Sequence, residues 1–181
     1  MNILNIVKLI MSLFTFHTGR SEKSSAKPTL ETEDSVVTVP GVQEKDGYYI
    51  WNKGDVFTLS PYFKTSEFSC QCVNESCVEQ KISKSVIQKL NNIRVELGRP
   101  LKITSAFRCT KHQESLRASG VNTVVAKKST HELGDAVDTR PADRNLEGFE
   151  EICAKQFMSI GIAKTFLHLD LRNDKIRRWN Y

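Results

Sequence analysis

The spacing of apolar residues predicts the main helix and a strand in the middle of the chain. Apolar side chains recur every three or four positions over residues 86–97, at Val86, Leu90, Ile93 and Leu97. This period is typical of an amphipathic helix, which Ser83 or Ser85 could cap and Gly98 could end. Residues 101–107 then have the β-rich character of a strand.

The last third of the chain repeats this helix-then-strand pattern. A second amphipathic helix is predicted over residues 146–159, with a buried face that includes Phe149, Ile152, Cys153, Phe157 and Ile160 or their neighbours. The strand that carries His168 follows. The alternation Ala136-Val137-Asp138 predicts one more short strand. We therefore expect an α+β fold with a small antiparallel sheet flanked by helices.

The N-terminal segment has a different pattern. Residues 3–16 are apolar except at four positions with helical spacing, Asn5, Lys8, Ser12 and Thr15. They predict a helix over residues 1–17 with a narrow polar stripe, suited to contact a membrane surface, to act as a signal-like segment or to dock on a partner. An ordinary buried helix is the alternative. The segment is short for a bilayer span, which needs about 20 residues.

Composition divides the rest of the chain. Residues 18–46 are rich in Ser, Lys, Thr, Glu and Pro, which predicts a flexible linker. Aromatic residues and a turn over residues 47–58 favour a β-hairpin extension, and residues 59–181 form the main domain. The chain of 181 residues carries a net charge of +5. Its basic residues are scattered, which argues against a nucleic-acid partner and would suit an anionic cell wall.

Two histidines and an aspartate form a candidate metal site in this domain. His131 precedes Asp138 by a short loop, and His168 follows downstream. Two nitrogen ligands and one oxygen ligand are typical of catalytic zinc, whose fourth position is left to water. The helical H-E-x-x-H motif is excluded because Asp135 stands where it needs a second histidine. These residues predict a hydrolase.

Asp170 lies two positions after His168. On an extended strand that spacing puts both side chains on the same face. Asp170 could therefore bind the metal, orient His168 or accept a proton.

The five cysteines leave three interpretations open. Cys70, Cys72 and Cys77 cluster in sequence, Cys109 follows Arg108, and Cys153 lies in the second predicted helix. The first four could hold a structural zinc, a disulfide could join the cluster to Cys109, or the thiols could stay reduced. A cysteine protease is disfavoured because the histidines that could activate a thiolate are better explained as metal ligands.

Several motifs together resemble the M15 family of zinc D-Ala-D-Ala carboxypeptidases and peptidoglycan endopeptidases. In this chain the pattern S-x-H-x-x-G-x-A-x-D begins at Ser129, and the pattern G-I-x-x-T-F-x-H-x-D-x-R begins at Gly161. Residues 62–68, residues 104–109 and the pair Arg178-Trp179 are also similar to the phage and bacterial branch of that family. The resemblance extends from Leu59 to Tyr181.

This resemblance implies a Hedgehog/D-Ala-D-Ala peptidase-like zinc fold. It implies that His131, Asp138 and His168 bind Zn²⁺ and that Arg108 contacts a carboxylate or carbonyl oxygen of the substrate. Many relatives have a catalytic carboxylate or a helper histidine just before the last ligand, where this chain has Thr165, Phe166 and Leu167. None of these can act as a base, so Asp170 is the nearest candidate catalytic carboxylate. His112 also fits a family position and is expected to structure its loop.

The expected function is that of a zinc metallopeptidase that cleaves D-amino-acid-containing stem peptides or cross-links of bacterial peptidoglycan. The resemblance suggests a bacteriophage endolysin or virion-associated wall hydrolase, with a bacterial envelope enzyme as the alternative source. Its site of action would be the cell envelope or periplasm. A different class of function is also open, namely a non-catalytic, zinc-containing module that binds the wall or builds the virion.

Overall fold

The computed structural model describes residues 41–119 and 129–181. Its strands are β1 Gln43–Lys45, β2 Tyr48–Asn52, β3 Thr58–Ser60, β4 Phe63–Lys64, β5 Glu79–Ser83, β6 Leu101–Ser105, β7 Ala136–Pro141, β8 Ser159–Ile162, β9 Leu167–Asp170 and β10 Arg177–Asn180. Its helices are α1 Thr65–Phe68, α2 Lys84–Leu97, α3 Thr110–Ala118, α4 Thr130–Leu133 and α5 Phe149–Ala154. The predicted N-terminal helix, and the predicted linker as far as residue 40, lie outside the described residues.

Helix α2 is the main predicted helix, and its capping is confirmed. The Ser83 hydroxyl accepts a hydrogen bond from the Ser85 backbone N–H. Gly98 ends the helix in a left-handed conformation at φ 68°, where a glycine has no side chain to clash. The buried face consists of Val86, Ile87, Leu90 and Ile93.

Helix α5 is shorter than the predicted helix over residues 146–159. Gly148, at φ 67°, precedes its first residue, and the helix ends at Ala154. Ser159 already belongs to β8. The prediction was too long because buried residues continue at helical spacing beyond the end of the helix, through Phe157 to Ile160.

A smaller sheet has three strands, in the order β1-β2-β5. Strand β2 pairs antiparallel with both β1 and β5. The hairpin in this region is therefore formed by β1 and β2, over residues 43–52, rather than within residues 47–58. Strand β3 instead pairs with β4. Trp51, on β2, is buried and donates a hydrogen bond to the Ser69 hydroxyl.

The main sheet has five strands in the order β10-β8-β9-β7-β6. All neighbours are antiparallel except β8 and β10, which are parallel. The protein is therefore a mixed α and β fold with small, mostly antiparallel sheets, as predicted, and the parallel edge pair is an addition to that prediction. Among the described residues no helix is both long and apolar enough to cross a membrane.

Candidate metal centre

One row of residues crosses the whole main sheet and builds the site. Ser105 pairs with Asp138, Asp138 with His168, His168 with Gly161, and Gly161 with Trp179. Directly paired residues on neighbouring strands project to the same face of a sheet. The strand register therefore brings these positions together on one face, although they are spread over residues 105–179.

The row places two of the three candidate ligands side by side, and α4 supplies the third. Helix α4 is a single turn, capped by Ser129 and ended by Gly134 in a left-handed conformation. Its one buried residue is His131. Where the sequence suggested a loop, the structure has a short capped helix, which fixes the backbone of His131.

The three candidate ligands converge on one point. His131 Nε2 lies 3.1 Å from His168 Nδ1 and 3.3 Å from Asp138 Oδ1. His168 Nδ1 lies 2.9 Å from the same Asp138 oxygen. Tetrahedral zinc with nitrogen and oxygen ligands separates its ligand atoms by about 3.3 Å. The donor atoms and their spacing therefore fit a zinc ion, and all three side chains are buried.

In each histidine, the ring nitrogen that faces away from the candidate metal position lies beside a hydrogen-bond acceptor. His131 Nδ1 lies 2.6 Å from the Ala106 carbonyl oxygen, and His168 Nε2 lies 3.2 Å from Asp170 Oδ2. A carbonyl oxygen and a carboxylate can only accept, so these ring nitrogens donate. In a neutral imidazole the other nitrogen then carries the lone pair, and both lone pairs face the candidate metal position.

The electrostatics of the centre favour an ionised carboxylate. Burial alone would raise the pKa of Asp138, but the charges and hydrogen bonds of His131 and His168 hold it far below its usual range. Burial lowers the pKa of His131. For His168 burial also acts to lower the pKa, yet its hydrogen bonds to Asp138 and Asp170 raise it overall. A proton on His168 therefore competes with a metal ion for the same nitrogen.

Asp170 does not belong to the ligand triangle. Its side chain is fully buried, and both of its oxygens accept hydrogen bonds from Arg172. Burial would raise its pKa, but the bonds from His168 and Arg172 lower it well below the usual range. Asp170 was predicted to bind the metal, to orient His168 or to accept a proton. Its position fits the second of these roles. A direct catalytic role for Asp170 stays a prediction.

Replacing Asp170 with asparagine should weaken metal binding about 10–100-fold, the usual cost of losing an outer partner of a ligating histidine. The amide keeps the shape of the side chain but not the charge that fixes the His168 tautomer. Zinc affinity is measured by competition with a chromophoric chelator. Asp174→Asn is the control, because Asp174 is an exposed carboxylate paired with Arg177. Equal affinity in both variants would exclude the orienting role.

Arg108 reaches the centre from the loop after β6. Its Nη2 lies 2.6 Å from Asp138 Oδ2, and its Nε donates to the Ser105 hydroxyl at 2.8 Å. The backbone N–H of Arg108 donates to the carbonyl of His131. Two side-chain contacts use two of the five guanidinium donors, and 18% of the side chain is exposed. Arg108 therefore holds the second oxygen of Asp138 and keeps donors for a further ligand.

Aromatic side chains from the C-terminal strand lie against the centre. The ring of Trp179 is 5.5 Å from that of His168, and the ring of Tyr181 is 6.4 Å from it. Gly161 lies between His168 and Trp179 in the row. A Cβ atom at Gly161 would come within 2.6 Å of the Trp179 indole and 2.7 Å of the Tyr181 ring. The absence of a side chain here lets the aromatic residues approach His168.

The variant Gly161→Ala should push the Trp179 ring outward and destabilise the fold by about 1–3 kcal/mol, the usual cost of overpacking. We expect acrylamide to quench tryptophan fluorescence more strongly than in the wild type, because the only other tryptophan, Trp51, is buried. In a Trp179→Phe background the same substitution should leave quenching unchanged. Identical quenching of Gly161→Ala and wild type would show that the ring does not depend on this glycine.

The structure brings together His131, Asp138, His168, Arg108 and Asp170, which the sequence singled out. His112 does not contribute to the ligand triangle, and its Nδ1 lies 3.2 Å from the Cys70 sulfur. Ser105, Gly161 and Trp179 were not predicted to serve the site. Their roles depend on strand register, which only a correct pairing of all five strands could have shown.

One of three comparisons with known proteins gives a match. The family model described as Peptidase M15 matches residues 61–170, which include Arg108 and the three candidate ligands. No curated protein matches the chain. No solved structure matches it either. Since the family model covers more than half of the sequence, the chain belongs to the peptidase M15 family.

Proposed function

We propose that the protein is a zinc-dependent peptidase that cleaves D-amino-acid-containing stem peptides or cross-links in bacterial peptidoglycan. The observation that carries this proposal is the donor triangle of His131, Asp138 and His168, whose spacing fits tetrahedral zinc within a peptidase M15 domain. We assign the domain to the Hedgehog/D-Ala-D-Ala peptidase-like zinc fold on the same grounds.

The three ligands leave a fourth tetrahedral position for water or substrate. A bound zinc ion supplies Lewis acidity, which polarises a carbonyl oxygen and lowers the pKa of water to about 7. When both rings are neutral, His131 and His168 present their lone-pair nitrogens to the metal position, because their other ring nitrogens donate to fixed acceptors. Asp138 contributes a negative charge, and Arg108 forms an ion pair with it.

Arg108 is the residue we assign to substrate binding. Its remaining N–H donors suit a carboxylate of a stem peptide or the carbonyl oxygen of the scissile bond, where negative charge develops during peptide hydrolysis. Trp179 provides an aromatic surface beside the same centre. Together they would orient a peptide carbonyl towards the metal.

The proposed substrate and location rest on the family resemblance and on charge. A net charge of +5 favours association with the anionic polymers of a bacterial wall. A bacteriophage lysis protein or virion component fits this substrate, with the cell envelope or periplasm as the site of action. Residues 3–16 are proposed to contact a membrane surface.

The test is digestion of purified peptidoglycan by the zinc-loaded full chain, with mass spectrometry of the released fragments. Release of terminal D-alanine would identify a carboxypeptidase, and new termini within cross-links would identify an endopeptidase. The Asp138→Ala variant is the matched control and should release neither. If wild-type protein with bound zinc left several wall chemotypes uncut but bound to them, the non-catalytic wall-binding module would replace this proposal.

A further inference from the structure

A second cluster of metal-ligating side chains lies outside the candidate centre. The sulfur atoms of Cys70, Cys72, Cys77 and Cys109 all lie within 4.8 Å of one another. The sulfurs of Cys72 and Cys109 are 3.6 Å apart. The first three belong to the segment between α1 and β5, and Cys109 is the N-cap of α3. Residues 39 positions apart are thus brought to one point.

Each sulfur of this cluster faces a nitrogen donor. The backbone N–H of Cys109 donates to Cys70, and the backbone N–H of His112 donates to Cys109, both at 3.4 Å. Gln80 Nε2 lies 3.5 Å from the Cys77 sulfur, and Lys53 Nζ lies 3.7 Å from the Cys72 sulfur. Neutral thiols are weak acceptors, so four donors aimed at four sulfurs are the surroundings that thiolates need.

The burial of the cluster also favours a bound metal ion. Cys70 and Cys77 are buried against Phe107, and Cys72 and Cys109 are half-buried beside them. These residues form a small apolar cluster separate from the main core. A core this small contributes little stability. A metal held by four thiolates would cross-link the segment between α1 and β5 to the start of α3.

We propose that Cys70, Cys72, Cys77 and Cys109 bind a structural zinc ion as four thiolates. Zinc with four sulfur ligands at about 2.3 Å separates those sulfurs by about 3.8 Å. This value is close to the 3.6 Å between Cys72 and Cys109 and within the 4.8 Å that encloses all four sulfurs. Four protein ligands leave no open position, so this ion would have no part in hydrolysis. The Lys53 ammonium partly offsets the net negative charge of such a site.

The position of this site gives it a structural consequence. Cys109 directly follows Arg108, and the backbone N–H of Phe107 donates to the Phe68 carbonyl at 3.1 Å. The ion would therefore anchor the loop from which Arg108 reaches Asp138. Metal binding by the cysteines does not depend on the proposed peptidase activity, and it can be tested separately.

The test counts zinc in the full chain by elemental analysis and identifies its ligands by X-ray absorption. Wild-type protein should hold two equivalents, and the Asp138→Ala variant should hold one. In that variant the remaining ion should show only sulfur neighbours, at about 2.3 Å. Cys153→Ala is the matched control, because Cys153 is buried but lies outside the cluster, and it should keep both ions.

Two results would overturn the proposal without requiring a cluster variant to fold. One is an Asp138→Ala protein that is folded but holds no ion with sulfur neighbours after purification in zinc. The other is an intact mass lower than that of the reduced chain by two or four hydrogens, which would assign sulfurs of the cluster to one or two disulfides. A wild-type chain that cleaves no peptide but keeps the sulfur-bound ion would contradict the proposed function alone.

Discussion

Replacing Asp138 with alanine should remove one equivalent of bound zinc and abolish peptide hydrolysis at the same time. Loss of an outer partner alone costs about 10–100-fold in metal affinity or activity, and loss of a direct ligand should cost more than that. Asp138 is also the carboxylate that both histidines contact. Zinc content is measured by elemental analysis, and hydrolysis by fragment release from peptidoglycan.

Two further variants separate this effect from a general loss of structure. Asp138→Ala leaves Arg108 without its partner, and breaking a buried ion pair costs about 3–5 kcal/mol. Asp138→Asn keeps the side-chain volume and should still bind zinc poorly. Asp143→Ala removes an exposed carboxylate that pairs with Arg99 and should change neither quantity. A folded Asp138→Ala protein with the wild-type zinc content would refute the ligand assignment.

Replacing Arg108 with alanine should leave the zinc in place and lower kcat about 10²–10³-fold, the range found when one donor to a developing negative charge is removed. Arg108 contacts Asp138 through the oxygen that lies outside the ligand triangle, so the three donor atoms persist. Arg108→Lys should not restore activity, because a compact ammonium lacks the planar fork of donors with which the guanidinium reaches Ser105 and Asp138 at once.

The outcome also distinguishes two roles for Arg108. If Arg108→Ala loses zinc along with activity, the arginine serves mainly to hold Asp138. If kcat and KM are both unchanged, it has no place in the site. Arg99→Ala is the control, because Arg99 lies in an exposed ion pair with Asp143 and should show wild-type kinetics.

The sequence singled out the three candidate ligands because their chemistry is visible in the residue types. Helix α2 was predicted for a similar reason, since Ser83 and Gly98 are explicit start and stop signals. Helix α5 was predicted too long because its apolar spacing runs on into β8, and no residue after Ala154 marks the change. Periodicity alone does not separate a helix from a following buried strand.

The partners of the ligands were harder to predict. Asp170 was found because it lies two residues from His168 on the same strand. The Ala106 carbonyl, 25 residues from His131, has no side-chain signal at all. Gly161 and Trp179 lie beside His168 only because β8 pairs with β9 on one side and with β10 on the other. Such long-range register is not encoded in any local pattern.

The two histidines of the centre differ in how easily mutation can disturb them. The partner of His168 is a side chain, so a single codon change at Asp170 can remove it. The partner of His131 is a backbone oxygen, which every amino acid at position 106 would supply. Position 106 is already alanine, so an alanine scan cannot report on the contact of His131, whereas the same scan removes the partner of His168 outright.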